Sequence, residues 1–367
     1  MGANQTDFIG QGGSAPAPNH GPSMIPAAPF EGLREASVAR PSAAHARQQL
    51  DAAHSLLSDT IPILDDLVRK AARGPDLIEQ AARDLIDAGG KRVRPLATLL
   101  TAKACGGEGR DAAPLAAAVE LVHSATLLHD DVIDEGEERR GRPATRVQWG
   151  NLVSVLSGDL LLTSALGLIE ASGIAGAMSD LIATMHALIA GEVAQFKARG
   201  RDDLGVTGYL EIVRGKTGSL FAMACRSGAR SAFAAPEIIE AAGRFGERVG
   251  VAFQIVDDVL DLEGVPHEVG KRLGADLAEG KTTLPLALAL QDDAARLRPL
   301  LINARAGDIV AASQVARAER VRRACIEARA FAARETELGL RQLKVFPLSR
   351  ERTLLELMVH GLANRTS

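Results

Sequence analysis

The sequence predicts an all-α protein built from long helices. From about residue 45 onward, apolar residues recur at spacings of three and four, which is the period of one helix face. Ala and Leu dominate this part of the chain, whereas the β-branched alternation that is typical of strands is nearly absent. We therefore expect a helical bundle over residues 45–367.

The individual helices are predicted from apolar runs bounded by Gly, Pro and capping residues. No repeat of solenoid length is visible in the sequence. The expected helices cover residues 48–73, 75–88, 94–104, 112–133, 152–171, 177–198, 208–235, 236–262 and 284–293, with three shorter helices from residue 308 to the C-terminus.

Residues 1–44 differ in composition from the rest of the chain. They are rich in Pro, Gly and Ala and show no hydrophobic period. Such a segment buries too little apolar surface to offset the entropy lost on ordering. We expect a disordered tail, and its N-terminus lacks the pattern of a secretory signal.

Composition excludes several classes of protein. The three cysteines, Cys105, Cys225 and Cys325, are far apart and form no CxxC pair, so neither a disulfide framework nor a zinc site is expected. A reducing, cytoplasmic location fits this pattern. The net charge of -4 argues against general nucleic-acid binding. The longest apolar stretch, residues 152–169, is interrupted by Ser and Asp, so no transmembrane segment is expected.

Two acidic triplets are the most informative motif. Five Asp-Asp pairs occur, and only two have a third Asp four residues after the first, which places the first and third side chains on one helix face. Carboxylates this close repel unless a hard cation neutralises them, and Mg²⁺ takes one or two carboxylates, waters and phosphate oxygens. The predicted metal-binding residues are Asp130, Asp131, Asp134, Asp257, Asp258 and Asp261.

A solvated acidic helix face is the alternative interpretation of each triplet. Both triplets, however, follow strongly apolar runs, residues 121–128 and 251–256. The acids therefore emerge from buried helix, where an unpaired carboxylate is costly. This context favours two metal sites at the mouth of a cavity, with a diphosphate as the remaining ligand.

Short basic motifs supply the positive charge that a diphosphate needs. The sequence GGKRVRP at 89–95 places three cations at a helix start, although a glycine terminator with exposed basic residues is an alternative there. RRGRP at 139–143 follows the first triplet closely, and GKTG at 215–218 interrupts a helical pattern. Lys-bearing segments at 270–276 and 279–285 follow the second triplet.

Taken in order, these motifs closely resemble the trans-isoprenyl diphosphate synthase family, particularly its bacterial long-chain members, which make octaprenyl or decaprenyl diphosphate for quinone side chains. The resemblance extends from about residue 45 to the end. It implies a single-domain bundle of mostly antiparallel helices around a deep central cavity, the isoprenoid synthase type I fold. It also implies a homodimer, with peripheral membrane contact for product release. The motifs are GGKRVRP, LLHDDVID with RRGRP, GKT, FQIVDDVLD, and GKRLGAD with EGKTTLP.

The resemblance also implies a role for each basic or polar residue of these motifs. Mg²⁺ is the implied cofactor, with Mn²⁺ as a substitute. His123 lies two helical turns before Asp130 and could equally be a satisfied core histidine. The residues implied for isopentenyl diphosphate are Lys91, Arg94, His123 and Arg140, and those implied for the allylic diphosphate are Arg139, Lys216, Thr217, Gln254, Lys271 and Lys281.

Product length is the finest inference that the resemblance offers. In the family, a small residue five positions before the first triplet goes with long products, and Ala125 occupies that position. The alternative is that Ala125 merely allows close helix packing. We expect a long-chain synthase. The alternatives are a short-chain farnesyl or geranylgeranyl synthase, a terpene synthase, and a catalytically silent partner subunit, which the intact motifs disfavour.

Overall fold

The computed structural model describes residues 55–90, 92–139, 141–263 and 274–363. Within these ranges the protein is all-α apart from one hairpin of two short strands. The predicted fold class is therefore confirmed. The predicted tail over residues 1–44 and three predicted ligands, Lys91, Arg140 and Lys271, lie outside the described residues.

The elements are numbered here in chain order. The first part comprises α1 (Ile61–Ala71), α2 (Asp76–Asp87), α3 (Val93–Ala104), α4 (Gly109–Ile133), β1 (Glu138–Arg139), β2 (Arg142–Pro143), α5 (Thr145–Trp149), α6 (Asn151–Ser172), α7 (Ala177–Ala198), α8 (Gly205–Val213) and a π-helical turn (Arg214–Gly218). The second part comprises α9 (Ser219–Ser231), α10 (Pro236–Glu263), α11 (Ala275–Ala278), α12 (Leu284–Arg305), α13 (Ile309–Arg317), α14 (Glu319–Gln342), a 3-10 turn (Leu343–Val345) and α15 (Arg350–Ala363).

Two long helices, α4 and α10, organise the bundle. Helix α4 packs along α6, and α10 packs along both α9 and α14. The first half of α10, including Phe245 and Val249, belongs to the core that α4 also joins, whereas its second half, including Ile255 and Val259, belongs to a second core with α12 and α14. Because α10 contributes to both cores, it fixes the second acidic triplet relative to the first.

The π-helical turn replaces the helix break that the sequence predicts around GKTG. A Cβ added at Gly191 of α7 would lie 2.7 Å from the backbone nitrogen of Lys216, and one added at Gly215 would lie 2.9 Å from the carbonyl oxygen of Ala187. Only glycine allows so close an approach of two helix backbones. This contact seats the turn against α7 and brings Lys216 and Thr217 to the cavity wall.

Several predicted helix boundaries are wrong. The helix expected over residues 48–73 is broken by a turn at residues 58–60, directly before α1, where Pro62 occupies the first helical turn. The helix expected over residues 208–235 starts three residues earlier, contains the π-helical turn and ends at Ser231.

The C-terminal helices are longer than predicted. The helix expected to end at Asp293 continues to Arg305, and Asp293 is a kink with non-helical angles (φ -131°, ψ 34°) inside it. One of the three helices expected to be short, α14, has 24 residues. The hairpin of β1 and β2 was not predicted, because two-residue strands leave no periodic pattern in a sequence.

One helix among the described residues, α6, is long and apolar enough by length and composition to cross a membrane, with 39% of that stretch buried in the protein. Three of its serine hydroxyls are hydrogen-bonded to neighbouring helices. Ser154 donates to the carbonyl of Leu128 (2.9 Å), and Ser164 donates to that of Ala71 (2.7 Å). These bonds join α6 to the bundle through its polar residues.

The contact between α9 and α10 gives a first prediction. A Cβ at Gly246 would lie 2.3 Å from the carbonyl oxygen of Phe221, so Gly246→Ala must push the helices apart. We expect a loss of about 1–3 kcal/mol in the free energy of unfolding, measured by urea titration. Gly361→Ala is the control, because a Cβ there meets nothing within 4 Å. Equal stability of both variants would contradict this account of the packing.

Candidate active site

The first acidic cluster lies at the C-terminal end of α4. Asp130 and Asp134 line the central cavity, which has a volume of about 790 Å³. Asp131 between them is 1% exposed and instead accepts hydrogen bonds from Nε (3.0 Å) and Nη2 (2.5 Å) of Arg139. The hairpin that follows α4 thus carries a guanidinium back to the cluster, and Arg139 also lines the cavity.

The second acidic cluster lies at the end of α10. Asp257 and Asp261 line the same cavity, and Asp258 is 3% exposed. The hydroxyl of Tyr209 (2.6 Å) and the amide of Gln254 (2.8 Å) both donate to Asp258. Burial, together with the nearby charge of Asp276, raises the pKa of Asp258 well above its usual range.

A hydrogen-bond chain connects this cluster to the π-helical turn. The hydroxyl of Thr217 donates to Oε1 of Gln254 (3.0 Å), whose amide nitrogen donates to Asp258. Three residues from two separate motifs, GKT and FQIVDDVLD, therefore form one network. Such a network orients its members only while every partner is satisfied.

The cations of the site are shared among several carboxylates. Lys216 Nζ lies 2.5 Å from Glu192 Oε2 and 3.7 Å from Asp130 Oδ2. Lys281 forms ion pairs with Glu279, with Asp276 (3.7 Å) and with Asp134 (3.6 Å).

Lys281 is held in its charged form by these carboxylates. Although burial lowers the pKa of Lys281, the carboxylates of Asp276, Glu279 and Asp134 raise it above its usual value. The two lysines and the acids around them therefore form ion pairs within the site.

Two of the residues that the resemblance implies for isopentenyl diphosphate, Arg94 and His123, also line the cavity, together with Glu120. The guanidinium carbon of Arg94 lies 4.8 Å from the centre of the Phe221 ring, a cation–π contact that fixes its position. Arg94 and His123 thus lie in one cavity with both acidic clusters.

Burial also shifts the pKa of Asp130 in the first cluster. Burial raises the pKa of Asp130 to about 6; Lys216 opposes the rise, and the carboxylates of Glu192 and Asp134 add to it. A divalent cation bound near Asp130 would favour the ionised form of this carboxyl.

Ala125 lies behind the cavity wall rather than on it. Its side chain is 2% exposed and belongs to the main hydrophobic core. The α4 residues that line the cavity nearby are His123, Thr126 and Leu127. A larger side chain at position 125 would therefore change the cavity by displacing its neighbours.

Sequence reasoning missed a polar stripe on α7. Glu192, Gln195 and Arg199 all line the cavity; Glu192 and Gln195 lie on one face of α7, and Arg199 directly follows the last residue of that helix. Buried Oε1 of Glu192 and Nε2 of Gln195 have no hydrogen-bond partner among the described residues. The signal was present in the sequence, because these residues interrupt an otherwise apolar helix. Tyr209, Asp276 and Glu279 were missed as well, since a single polar residue carries no periodic signal.

The donor set fits a divalent cation that is completed by substrate. No group of three or more His, Cys, Asp or Glu side chains converges as a ready metal site in the described part of the chain. The first cluster offers two cavity-lining carboxylates and the second offers three, and Mg²⁺ needs only one or two when phosphate oxygens and waters supply the other ligands. The residues present therefore fit the implied metal.

A helical bundle in which two acidic clusters and several cations line one cavity defines a site for diphosphate chemistry. The chain belongs to the polyprenyl synthetase family, whose sequence model matches residues 75–317. As a member of that family, it is a prenyltransferase that makes prenyl diphosphates.

Comparison with individual relatives supports the same assignment. The chain is 38% identical over 281 residues to an all-trans-nonaprenyl-diphosphate synthase of Rhodobacter capsulatus, covering 76% of this chain and 86% of that one. It is 39% identical over 215 residues to a geranylgeranyl diphosphate synthase of Methanosarcina mazei, covering 57% and 66%. A polyprenyl synthase of Caulobacter crescentus, solved with calcium and isoprenyl diphosphate, superposes with a TM-score of 0.81 and 33% identity over 86% of this chain and 98% of that one. The relatives thus make both long and short products.

The raised pKa of Asp130 gives a prediction about stability. Because the pKa rises from 3.8 to about 6 on folding, this group's contribution to stability is full below about pH 4 and is lost as the pH rises through 6. Asp130→Asn cannot ionise, so the metal-free variant should be more stable than the wild type at neutral pH by up to about 3 kcal/mol.

Urea unfolding in the presence of EDTA, compared at acidic and neutral pH, measures this difference. The advantage of Asp130→Asn should shrink as the pH falls toward 4, because the wild-type carboxyl becomes neutral too. Asp66→Asn, on the exposed face of α1 where Asp66 pairs with Lys70, should show no such trend. A variant that is no more stable than the wild type at any pH would contradict the electrostatic account.

Proposed function

We propose that this protein is a Mg²⁺-dependent polyprenyl diphosphate synthase that adds isopentenyl diphosphate head-to-tail to an allylic diphosphate and makes a long-chain product. The observation that carries the proposal is the convergence of two carboxylate pairs on one cavity, Asp130 with Asp134 and Asp257 with Asp261. The same cavity holds separate groups of cations, so two diphosphates can bind in it at once.

Asp130 and Asp134 would hold metal on one side of the diphosphate, and Asp257 and Asp261 on the other. When bound, Mg²⁺ supplies positive charge that stabilises the diphosphate as it leaves. Mn²⁺, with similar preference for oxygen ligands, is expected to substitute.

The protein's own residues supply the remaining electrostatics of the reaction. Lys216, Lys281 and Arg139 lie where negative charge develops on the departing diphosphate, and fixed cations in a dry site stabilise such charge. Thr217 and Gln254 place oriented dipoles beside the allylic carbon that becomes electron-poor. Arg94 and His123 hold isopentenyl diphosphate so that its double bond can attack that carbon.

Apolar walls favour a long product. Below the first acidic cluster the cavity is lined by Leu127 of α4 and by Met185, Leu188 and Ile189 of α7, none of them aromatic. Such a wall can accept a growing isoprenoid chain in place of water. The nonaprenyl relative supports a long product, and the geranylgeranyl relative keeps a short one as the alternative.

A homodimer is the proposed assembly. Helices α6 and α7 expose a group of large apolar side chains, an unusual feature for a surface that faces water. An apolar patch on two adjacent long helices is suited to an isologous interface with a second copy. The exposed residues include Leu152 (72%), Leu156 (43%), Ile182 (50%), Ile189 (58%) and Phe196 (62%).

Activity of the purified chain tests the proposal as a whole. Incubation with farnesyl diphosphate, isopentenyl diphosphate and Mg²⁺ should give a polyprenyl diphosphate, and its mass gives the number of units added. A product of many added units supports the long-chain proposal, whereas one that stops after a single addition supports the short-chain alternative. Inactivity of the folded chain without a partner would contradict the catalytic assignment.

Asp130→Ala and Asp257→Ala should each abolish most of the activity. Loss of one carboxylate from a metal clamp removes roughly 3–5 kcal/mol of transition-state stabilisation, or about 10² to 10⁴ in kcat/KM. Asp66→Ala is the matched control, because Asp66 belongs to another Asp-Asp pair and forms only a surface ion pair with Lys70. Near wild-type turnover of either cluster variant at saturating Mg²⁺ would exclude its metal role.

Thr126→Phe should shorten the product. Thr126 lines the cavity one turn below the first acidic cluster, so an aromatic ring there blocks the path of the chain. Ala125→Phe should act in the same direction more weakly, because Ala125 lies behind the wall, and overpacking there costs about 1–3 kcal/mol of stability. Product mass, determined alongside the rate of the first addition, measures both effects. Unchanged product from folded Thr126→Phe would show that the chain runs elsewhere.

A further inference from the structure

Arg199 is a cavity residue with no role implied by the family motifs. It follows the last residue of α7, and its guanidinium forms an ion pair with Asp134. Asp134 is also 3.6 Å from Lys281, so this one carboxylate faces two cations. One carboxylate needs only one of them for neutrality.

The guanidinium of Arg199 has hydrogen-bond donors to spare. An arginine carries five N–H donors, and Asp134 accepts from Nη2. The Nε atom of Arg199 is buried and has no hydrogen-bond partner in the part of the chain that the structure describes. A buried donor without an acceptor is costly. This nitrogen can therefore donate a hydrogen bond to a further acceptor, such as a phosphate oxygen.

The backbone beside Arg199 is fixed by three hydrogen bonds from distant segments. The amide of Gly200 donates to the carbonyl of Gly280 (2.9 Å), and the hydroxyl of Thr282 donates to that of Arg201 (2.8 Å). Arg305 of α12 donates to the carbonyl of Gly200 (3.1 Å). These bonds hold the backbone beside Arg199 against the loop that carries Lys281. A surface arginine without a role in the site would not need a backbone fixed in this way.

Arg199 pairs with fewer carboxylates than the lysines of the site. Lys281 contacts three carboxylates, and Lys216 contacts two. Among the described residues, the one carboxylate that pairs with Arg199 is that of Asp134, a predicted metal-binding residue; the guanidinium carbon of Arg199 also lies 5.9 Å from the centre of the Phe196 ring. A divalent cation held by that carboxylate would compete with the guanidinium, whose planar fork of donors suits a phosphate group.

We propose that Arg199 is a further diphosphate-binding residue of this site, which pairs with Asp134 in the empty protein and with a phosphate group of the allylic substrate in the loaded one. The inference rests on the proposed function, because it needs a diphosphate beside the first acidic cluster. It adds Arg199, which directly follows α7, to three other cations of the site: Arg139 on the hairpin, Lys216 on the π-helical turn, and Lys281.

Calorimetric titration with inorganic diphosphate in excess Mg²⁺ tests the proposal without turnover. Arg199→Gln should weaken binding by about ten- to a hundredfold, the usual worth of a charge-assisted hydrogen bond. Arg199→Lys, which keeps the charge but not the fork, should recover part of the loss. Arg201→Gln is the matched control, since exposed Arg201 on the same loop pairs with Asp203 (2.9 Å) and should bind like the wild type.

Steady-state kinetics provide the second measurement. Arg199→Gln should raise the KM for the allylic diphosphate while leaving the KM for isopentenyl diphosphate unchanged. Wild-type diphosphate affinity and an unchanged KM in folded Arg199→Gln would overturn the proposal and leave Arg199 a brace for Asp134. Failure of the wild type itself to bind diphosphate with Mg²⁺ would instead overturn the proposed function, and this inference with it.

Discussion

Repulsion among buried carboxylates is the constraint on which the rest of this structure depends. Two helices, α4 and α10, end in acidic triplets at the wall of one cavity, where burial reduces the screening of their charges by water. Burying such charges is unfavourable unless cations and hydrogen bonds compensate for it. The middle carboxylate of each triplet, Asp131 or Asp258, is compensated permanently by protein donors. Of the outer carboxylates, Asp130 and Asp134 pair with cations, whereas Asp261 accepts hydrogen bonds from the backbone amides of Ala275 (3.2 Å) and Asp276 (3.3 Å).

The first triplet therefore has a permanent part, Asp131, and an exchangeable part, Asp130 and Asp134. Arg139 on Asp131 and Tyr209 on Asp258 hold the helix ends in shape whether or not the site is loaded. Lys216 and Lys281, in contrast, rest on the outer carboxylates and their neighbours, Glu192 and Glu279. A metal–diphosphate complex carries charge of both signs, so the metal can pair with the carboxylates and the diphosphate with the lysines. Holding the carboxylates buried costs stability, and the raised pKa of Asp130 reflects this cost.

Much of this arrangement could be predicted from the sequence because its signals are local. The i, i+4 spacing of Asp130 and Asp134 fixes their common direction, and the apolar runs before both triplets indicate burial. The glycines of GKTG likewise predict an interruption, which the structure shows as a π-helical turn. The all-α fold class follows from periodicity that persists over most of the chain.

What the sequence could not show depends on long-range contacts. Asp131 and Asp134 are equivalent in a helical pattern, and only the return of the hairpin decides that Arg139 pairs with the former. The stripe of α7 became meaningful only when α7 was placed opposite α4 across the cavity. The extension of α12 beyond Asp293 is another case: the distal half contains Pro299, and its residues Leu297 and Leu301 are buried in the second core.

The binding of Mg²⁺, measured by calorimetry with and without inorganic diphosphate, tests the central claim most directly. If the outer carboxylates form two half-sites that substrate completes, Mg²⁺ alone binds weakly and diphosphate tightens its binding by about tenfold or more. Linkage requires Mg²⁺ to tighten diphosphate binding by the same factor. Mg²⁺ that binds equally tightly in the absence of diphosphate would show a complete protein cage and contradict the account.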